Sequence, residues 1–133
     1  MASAASIQQV DTPVANSLRI LLVDDYEPIR ALVSRLLSRQ NGIVVVGVAG
    51  TGEEAIDLAQ EFEPDVVVMD VVMPGVGGVE ATRRLRQALP KVRVVGHSAN
   101  EAEAVMRAAG AVGFVRKGEA THVLVDAIRA AAV

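Results

Sequence analysis

The 133-residue chain contains no cysteine, no tryptophan, one tyrosine and two phenylalanines. The missing thiols exclude disulfide staples, thiolate metal centres and cysteine nucleophiles. With so few aromatics, a chain that is 51% hydrophobic must build its core almost wholly from Val, Leu, Ile and Ala. No run approaches the ~18 consecutive apolar residues that span a membrane. Residues 1–16 lack the positive and apolar regions of a secretory signal and have no periodicity to pack, so they read as a flexible leader before one domain over 17–133. A cytoplasmic protein with no membrane partner is expected. There is no basic excess either, and a net charge of -3 argues against direct nucleic-acid binding.

What the chain does have is a repeated pattern of short apolar runs, several of which end in polar residues. Val66 to Met69 lead without a break into Asp70, and Pro74, Gly75, Gly77 and Gly78 follow. Such a run reads as a strand buried on both faces, with Asp70 as its last residue. Leu18 to Asp25 (LRILLVDD) repeats the pattern, and Ile43 to Ala49, Val92 to Ser98 and Gly113 to Lys117 supply three more strands.

Helices fill the intervals. Ile29, Leu32, Val33, Leu36 and Leu37 form one apolar stripe, stopped by Asn41-Gly42. Thr51 and Glu54 have capping-box spacing before a helix whose inner face is Ala55, Ala59 and Phe62. A third helix spans Val79 to Leu89 with Arg83, Arg84 and Arg86 on its wet side. A fourth, Glu101 to Ala109, is capped by Asn100, with Glu103 at the capping-box position. The last carries Val123, Leu124, Ala127, Ile128 and Ala131.

Five strictly alternating β-α units predict an α/β, flavodoxin-like (βα)5 doubly wound sandwich, whose five-stranded parallel sheet has the order 2-1-3-4-5. On that order Asp24, Asp25, Asp70, Ser98 and Lys117 gather at the carboxyl ends of four strands, where ligands bind in such sheets. Each has an ordinary reading: Asp-Asp in a turn, Ser as a cap, Lys in solvent. Together they are a site. Two unit charges about 4 Å apart interact by roughly 4 kcal/mol at an effective dielectric of ~20, so three carboxylates need a cation. Oxygen-only ligands suit Mg²⁺. A carboxylate beside such an ion is a plausible nucleophile toward a phosphoryl group, with Lys117 and the Ser98 hydroxyl to bind the transferred oxygens.

ILLVDD, DVVVMDVVMPG, the SA of HSAN and AGAVGFVRK, in this order and spacing, resemble the receiver domain of two-component response regulators from about Leu18 to Ala131. The subgroup most similar usually carries a C-terminal LuxR-type helix-turn-helix. The resemblance implies that Asp70 is the phosphoacceptor of a phosphorylation-activated signalling switch, and that the donor is a sensor histidine kinase or a phosphotransfer protein. Asp25 and Asp70, with the backbone carbonyl of Val72, would ligate Mg²⁺, and Asp24 would act on it mostly through water. Ser98 and Phe114 would be the switch pair and Lys117 the essential lysine. The chain would be no enzyme beyond its own phosphoryl transfer and dephosphorylation. A homodimer would use the fourth helix, fifth strand and fifth helix. The alternative is a receiver-fold interaction module that signals without phosphate; a phosphohydrolase would want a second carboxylate where Val72 stands.

Several residues depart from the family pattern. Gly118 replaces the usual Pro after Lys117, and since a cis bond there would cost about 2.5 to 4 kcal/mol, trans is expected. Gly77 stands where Asp is common. His97, beside Ser98, is expected as a semi-exposed strand-end side chain. Val72 and Asn100 occupy positions that in the family influence acyl-phosphate lifetime, and an apolar Val72 offers no base to a water.

Overall fold

The computed structural model describes residues 17–133. The leader expected over 1–16 lies outside them. Ten elements alternate without exception: β1 (Leu18–Val23), α1 (Glu27–Ser38), β2 (Ile43–Ala49), α2 (Gly52–Phe62), β3 (Val66–Met69), α3 (Gly78–Ala88), β4 (Arg93–Ser98), α4 (Glu103–Ala109), β5 (Gly113–Arg116) and α5 (Thr121–Ala131). The strands form one parallel sheet in the order β2-β1-β3-β4-β5. This is the topology that the alternation of apolar runs and amphipathic stripes predicts.

The Val-rich runs become the interior of the sheet because each has neighbours on both faces. All four residues of β3 are completely buried. Alternate residues divide between two cores, as the two-residue period of a strand requires. Val67, Met69 and Val94 join Ala55, Leu85 and Met106 on one face. Val66, Val68 and Val95 join Leu37, Leu124 and Ile128 on the other. Removing a Val or Leu side chain from water is worth roughly 1.5–3 kcal/mol, so the central strands carry much of the stability.

Local chemistry fixes the ends. Thr51 Oγ1 accepts a hydrogen bond from the Glu54 amide at 3.1 Å, and Glu54 Oε1 accepts from the Gly50 amide at 2.7 Å. The far end of α2 is held by Arg19, whose Nη1 donates to the carbonyls of Phe62 (2.6 Å) and Glu63 (2.9 Å), satisfying groups a helix terminus leaves open. Gly78 opens α3 against the backbone of Asp70. A Cβ there would stand 1.9 Å from the Asp70 carbonyl oxygen, so only glycine lets the helix approach so closely.

Some boundaries and exposures differ from the sequence reading. Helix α4 begins at Glu103, not Glu101, and Ala102 occupies its N-cap position without a side-chain hydrogen bond. The Asn100 amide instead donates to Ser98 Oγ at 3.1 Å, which ties residues 98–100 into a turn and delays the helix. Asp70 and Lys117 each lie one residue beyond their strands, and Asp24 directly follows β1. Arg86 is not simply solvated: its Nη1 donates to the carbonyls of Pro90 (2.7 Å) and Val92 (2.9 Å). Of the α1 stripe only Leu37 is buried, and Leu32 is 42% exposed.

Candidate functional site

Strand register builds the site. Val23 pairs with Met69, so Asp24 and Asp70 leave adjacent strands at the same height. The Asp70 amide donates to the Val23 carbonyl at 3.0 Å, and the Asp24 amide donates to the Ala49 carbonyl at 3.0 Å. One carboxylate oxygen from each of Asp24, Asp25 and Asp70 lies within 4.8 Å of the other two. Asp24 and Asp70 are buried, whereas Asp25 faces solvent.

Lys117 reaches the same point from the end of β5. Its Nζ stands 2.7 Å from Asp24 Oδ2 and 3.3 Å from Asp70 Oδ2. The remaining oxygens are also engaged: Asp70 Oδ1 accepts from the Val71 amide and Asp24 Oδ1 from the Tyr26 amide, both at 2.9 Å. Burial, and then the charge of Asp24, push the Asp70 carboxyl up to about 6 against the pull of Lys117. Burial opposes the charge on Lys117, but its hydrogen bond to Asp24 and the nearby Asp70 outweigh it and hold the ammonium above the ordinary lysine value. Two of the three carboxylates thus share one ammonium. Burial keeps the Asp70 carboxyl a weaker acid than usual even with this positive charge beside it. An all-oxygen donor set with a surplus of negative charge fits a hard divalent cation.

The other expected residues surround this cluster without joining it. Ser98 is buried and its hydroxyl oxygen accepts from the Asn100 amide; its carbonyl accepts from the Lys117 amide at 2.9 Å. Among the described residues no hydrogen bond links the Ser98 side chain to Asp70. Phe114 is half-buried against the α2–α3 core, with its ring over Gly96, where an added Cβ would come 2.7 Å from Cδ1. Val72 is 61% exposed in the loop after Asp70.

Of the departures, Gly118 has φ +95, a conformation closed to proline, and Lys117–Gly118 is trans, since no peptide bond among the described residues is cis. Gly77 has an ordinary φ of -74 at the N-cap of α3, so its backbone makes no demand for glycine. His97 corrects the sequence reading. It is not semi-exposed but 8% exposed, because it extends toward α1 and α5 as the last layer of that face. Burial, with Lys117 adding to it and Asp24 opposing, pushes its imidazole down to about 4.

Sequence reasoning also missed Arg30, whose Nη1 donates to the Asp24 carbonyl at 2.9 Å. Its place on the polar side of the α1 stripe carried no signal for this.

Residues 20–129 match the response regulator receiver domain family. The response regulator GacA of Pseudomonas viridiflava is 43% identical over 115 residues, covering 84% of this chain and 54% of that protein. The chain therefore spans about half the length of such curated relatives. A two-component response regulator of the LuxR family from Aurantimonas sp. superposes with a TM-score of 0.82 at 39% identity, covering 86% of this chain and 84% of that one. The signal receiver domain of the response regulator NarL from Mycobacterium tuberculosis gives 0.83 at 31% identity, covering 88% and 97%. With its doubly wound sheet and the acidic cluster at the strand ends, the chain belongs to the response regulator receiver domain family.

Proposed function

We propose that Asp70 accepts a phosphoryl group and that the chain is the switch of a two-component system. The observation that carries this reading is the cluster itself: three carboxylates within 4.8 Å, with the ammonium of Lys117 against two of them. Asp24, Asp25, Asp70 and the Val72 carbonyl would hold Mg²⁺, which supplies compensation for the negative charge that phosphoryl transfer brings together. Asp70 is the nucleophile: a carboxylate oxygen forms a bond to phosphorus as the bond to the donor breaks, giving an aspartyl phosphate. Asp70 suits this role over Asp24 because its Oδ2 is the less tightly paired with Lys117. Lys117 then exchanges carboxylate oxygen for phosphoryl oxygen.

The readout follows from differential contacts. The new phosphoryl oxygens are strong acceptors, and the Ser98 hydroxyl, which among the described residues is bonded only as an acceptor from Asn100, has its proton free to donate. Turning Ser98 toward Asp70 releases the turn that precedes α4, and Phe114 beside it repacks. The donor would be a sensor histidine kinase or a phosphotransfer protein, and the surface of α4, β5 and α5 would carry the output, including a homodimer. Beyond transferring and losing its own phosphoryl group the chain is no enzyme. It acts in the cytoplasm; no helix among the described residues is long and apolar enough to cross a membrane.

Incubation with Mg²⁺ and acetyl phosphate, followed by intact mass, tests this. A gain of one phosphoryl group is expected, lost in Asp70→Asn and without Mg²⁺. No gain under any condition would overturn the reading in favour of a phosphate-independent module.

A further inference from the structure

Of the three carboxylates in the cluster, two are tied by their own oxygens. Asp24 and Asp70 each give one oxygen to a backbone amide and the other to Lys117. The Asp25 side chain makes no hydrogen bond or ion pair among the described residues, and it faces solvent. One of its oxygens nevertheless lies within 4.8 Å of an oxygen from each of the other two. A side chain without partners of its own takes its direction from the backbone that carries it.

Arg30 holds that backbone on both sides of Asp25. Its amide donates to the Tyr26 carbonyl at 3.0 Å, and its Nη1 donates to the Asp24 carbonyl at 2.9 Å. The Tyr26 amide closes the loop on Asp24 Oδ1 at 2.9 Å. The Asp24 carbonyl belongs to the same peptide group as the Asp25 amide, and it stands past Val23, the last paired residue of β1. A charged donor makes a stronger bond there than a neutral one. The guanidinium is seated against Gly50, where an added Cβ would stand 2.8 Å from Nη1. Gly50 has no positive φ, so what its missing side chain leaves is room for Arg30.

Charge alone argues the other way. A guanidinium near an acidic cluster repels a divalent cation, so a residue acting only by its charge would weaken the site. The geometry points to the opposite role: Arg30 is a positioning residue that fixes the Asp24–Asp25 peptide and so aims Asp25 at Mg²⁺, and the bare Gly50 is what admits it. The role rests on the cation reading proposed above.

Mg²⁺ titration of the ¹⁵N-labelled chain, followed at the Asp25 and Tyr26 amides, tests it in a double-mutant cycle. Gly50→Ala keeps the arginine and its charge but displaces the guanidinium; Arg30→Met keeps the stem and removes the donor. Each is expected to raise the Kd for Mg²⁺ about fivefold. Combined, they are expected to raise it no further than Arg30→Met alone, since no guanidinium is left to displace. If Arg30→Met does not fold, Gly50→Ala decides: its Mg²⁺ affinity must fall and its Asp25 amide resonance must move already in the metal-free protein. Unchanged affinity in Gly50→Ala overturns the role. So does an equal loss from Gly50→Ala with or without Arg30, or tighter binding in Arg30→Met. An unaltered chain that gives no saturable Mg²⁺ shifts instead rejects the cation site itself, and this role falls with it.

Discussion

At the scale of single residues, Asp70 and His97 are both buried, and pH acts on them with opposite sign. Asp70 is pushed up to about 6 from an ordinary 3.8, so its protonated form is the one the fold favours. That contribution is complete below pH 3.8 and is lost as pH rises through 6, leaving a charged carboxylate beside Asp24 at neutral pH. Asp70→Asn removes the cost. In metal-free protein at pH 7 we expect urea denaturation to show the variant more stable by ~1–3 kcal/mol, with the gap closing toward pH 4. His97 is depressed from 6.5 to about 4, so neutral imidazole is the folded form. Its contribution is present above pH 6.5 and lost as pH falls through 4. Measured in the Asp70→Asn background, stability should drop by on the order of 3 kcal/mol between pH 6.5 and 4, and much less once His97→Gln is added. Equal slopes with and without His97 would contradict its buried placement.

At the scale of elements, α4 is the weakest. It has only seven residues, no side-chain cap, and an N-terminus set back by the Ser98 turn, and only Met106 and Ala109 of it are buried. Amide exchange should therefore be fastest in α4 of the five helices, and slowest in β1 and β3. If α4 proves as protected as α2, whose cap hydroxyl and Arg19 secure both ends, the switch reading loses its mobile element. The beginning of α3 is the opposite case. Gly78→Ala drives a methyl group into the Asp70 carbonyl, and a loss of about 3 kcal/mol is expected from thermal or urea unfolding.

For the whole molecule, the sequence made the topology readable because strands buried on both faces leave continuous Val runs, as in VVVM, and helices leave stripes, as at Ala55 and Ala59. The acidic corner was readable because a carboxylate directly after such a run has one place to go. Other features depend on relations that no local pattern records. Asn100 and Glu103 carry a capping-box spacing, yet the Ser98 hydroxyl captures the Asn100 amide first. His97 stands at a strand end, and its burial follows from what α1 and α5 bring over it. The ion pair of Lys117 with Asp24 reaches past two intervening strands, from the end of β5 to the end of β1. Chain-wide stability should respond to the ion the corner fits: Mg²⁺ at a hundredfold excess over its Kd adds about 2.7 kcal/mol if it binds only the folded chain. A denaturation midpoint unmoved by Mg²⁺ would reject the cation site.

The strand order has a mechanical consequence. β1 and β3, which deliver the carboxylates, are each clamped by a neighbour on both sides, whereas β5, which delivers Lys117, has one free margin. Asp70, the proposed nucleophile, thus follows a strand held on both sides and Lys117 follows an edge strand. A change of charge at Asp70 would reach, through Lys117, the nearer of the sheet's two free margins, with β4 and Ser98 at its end lying between them.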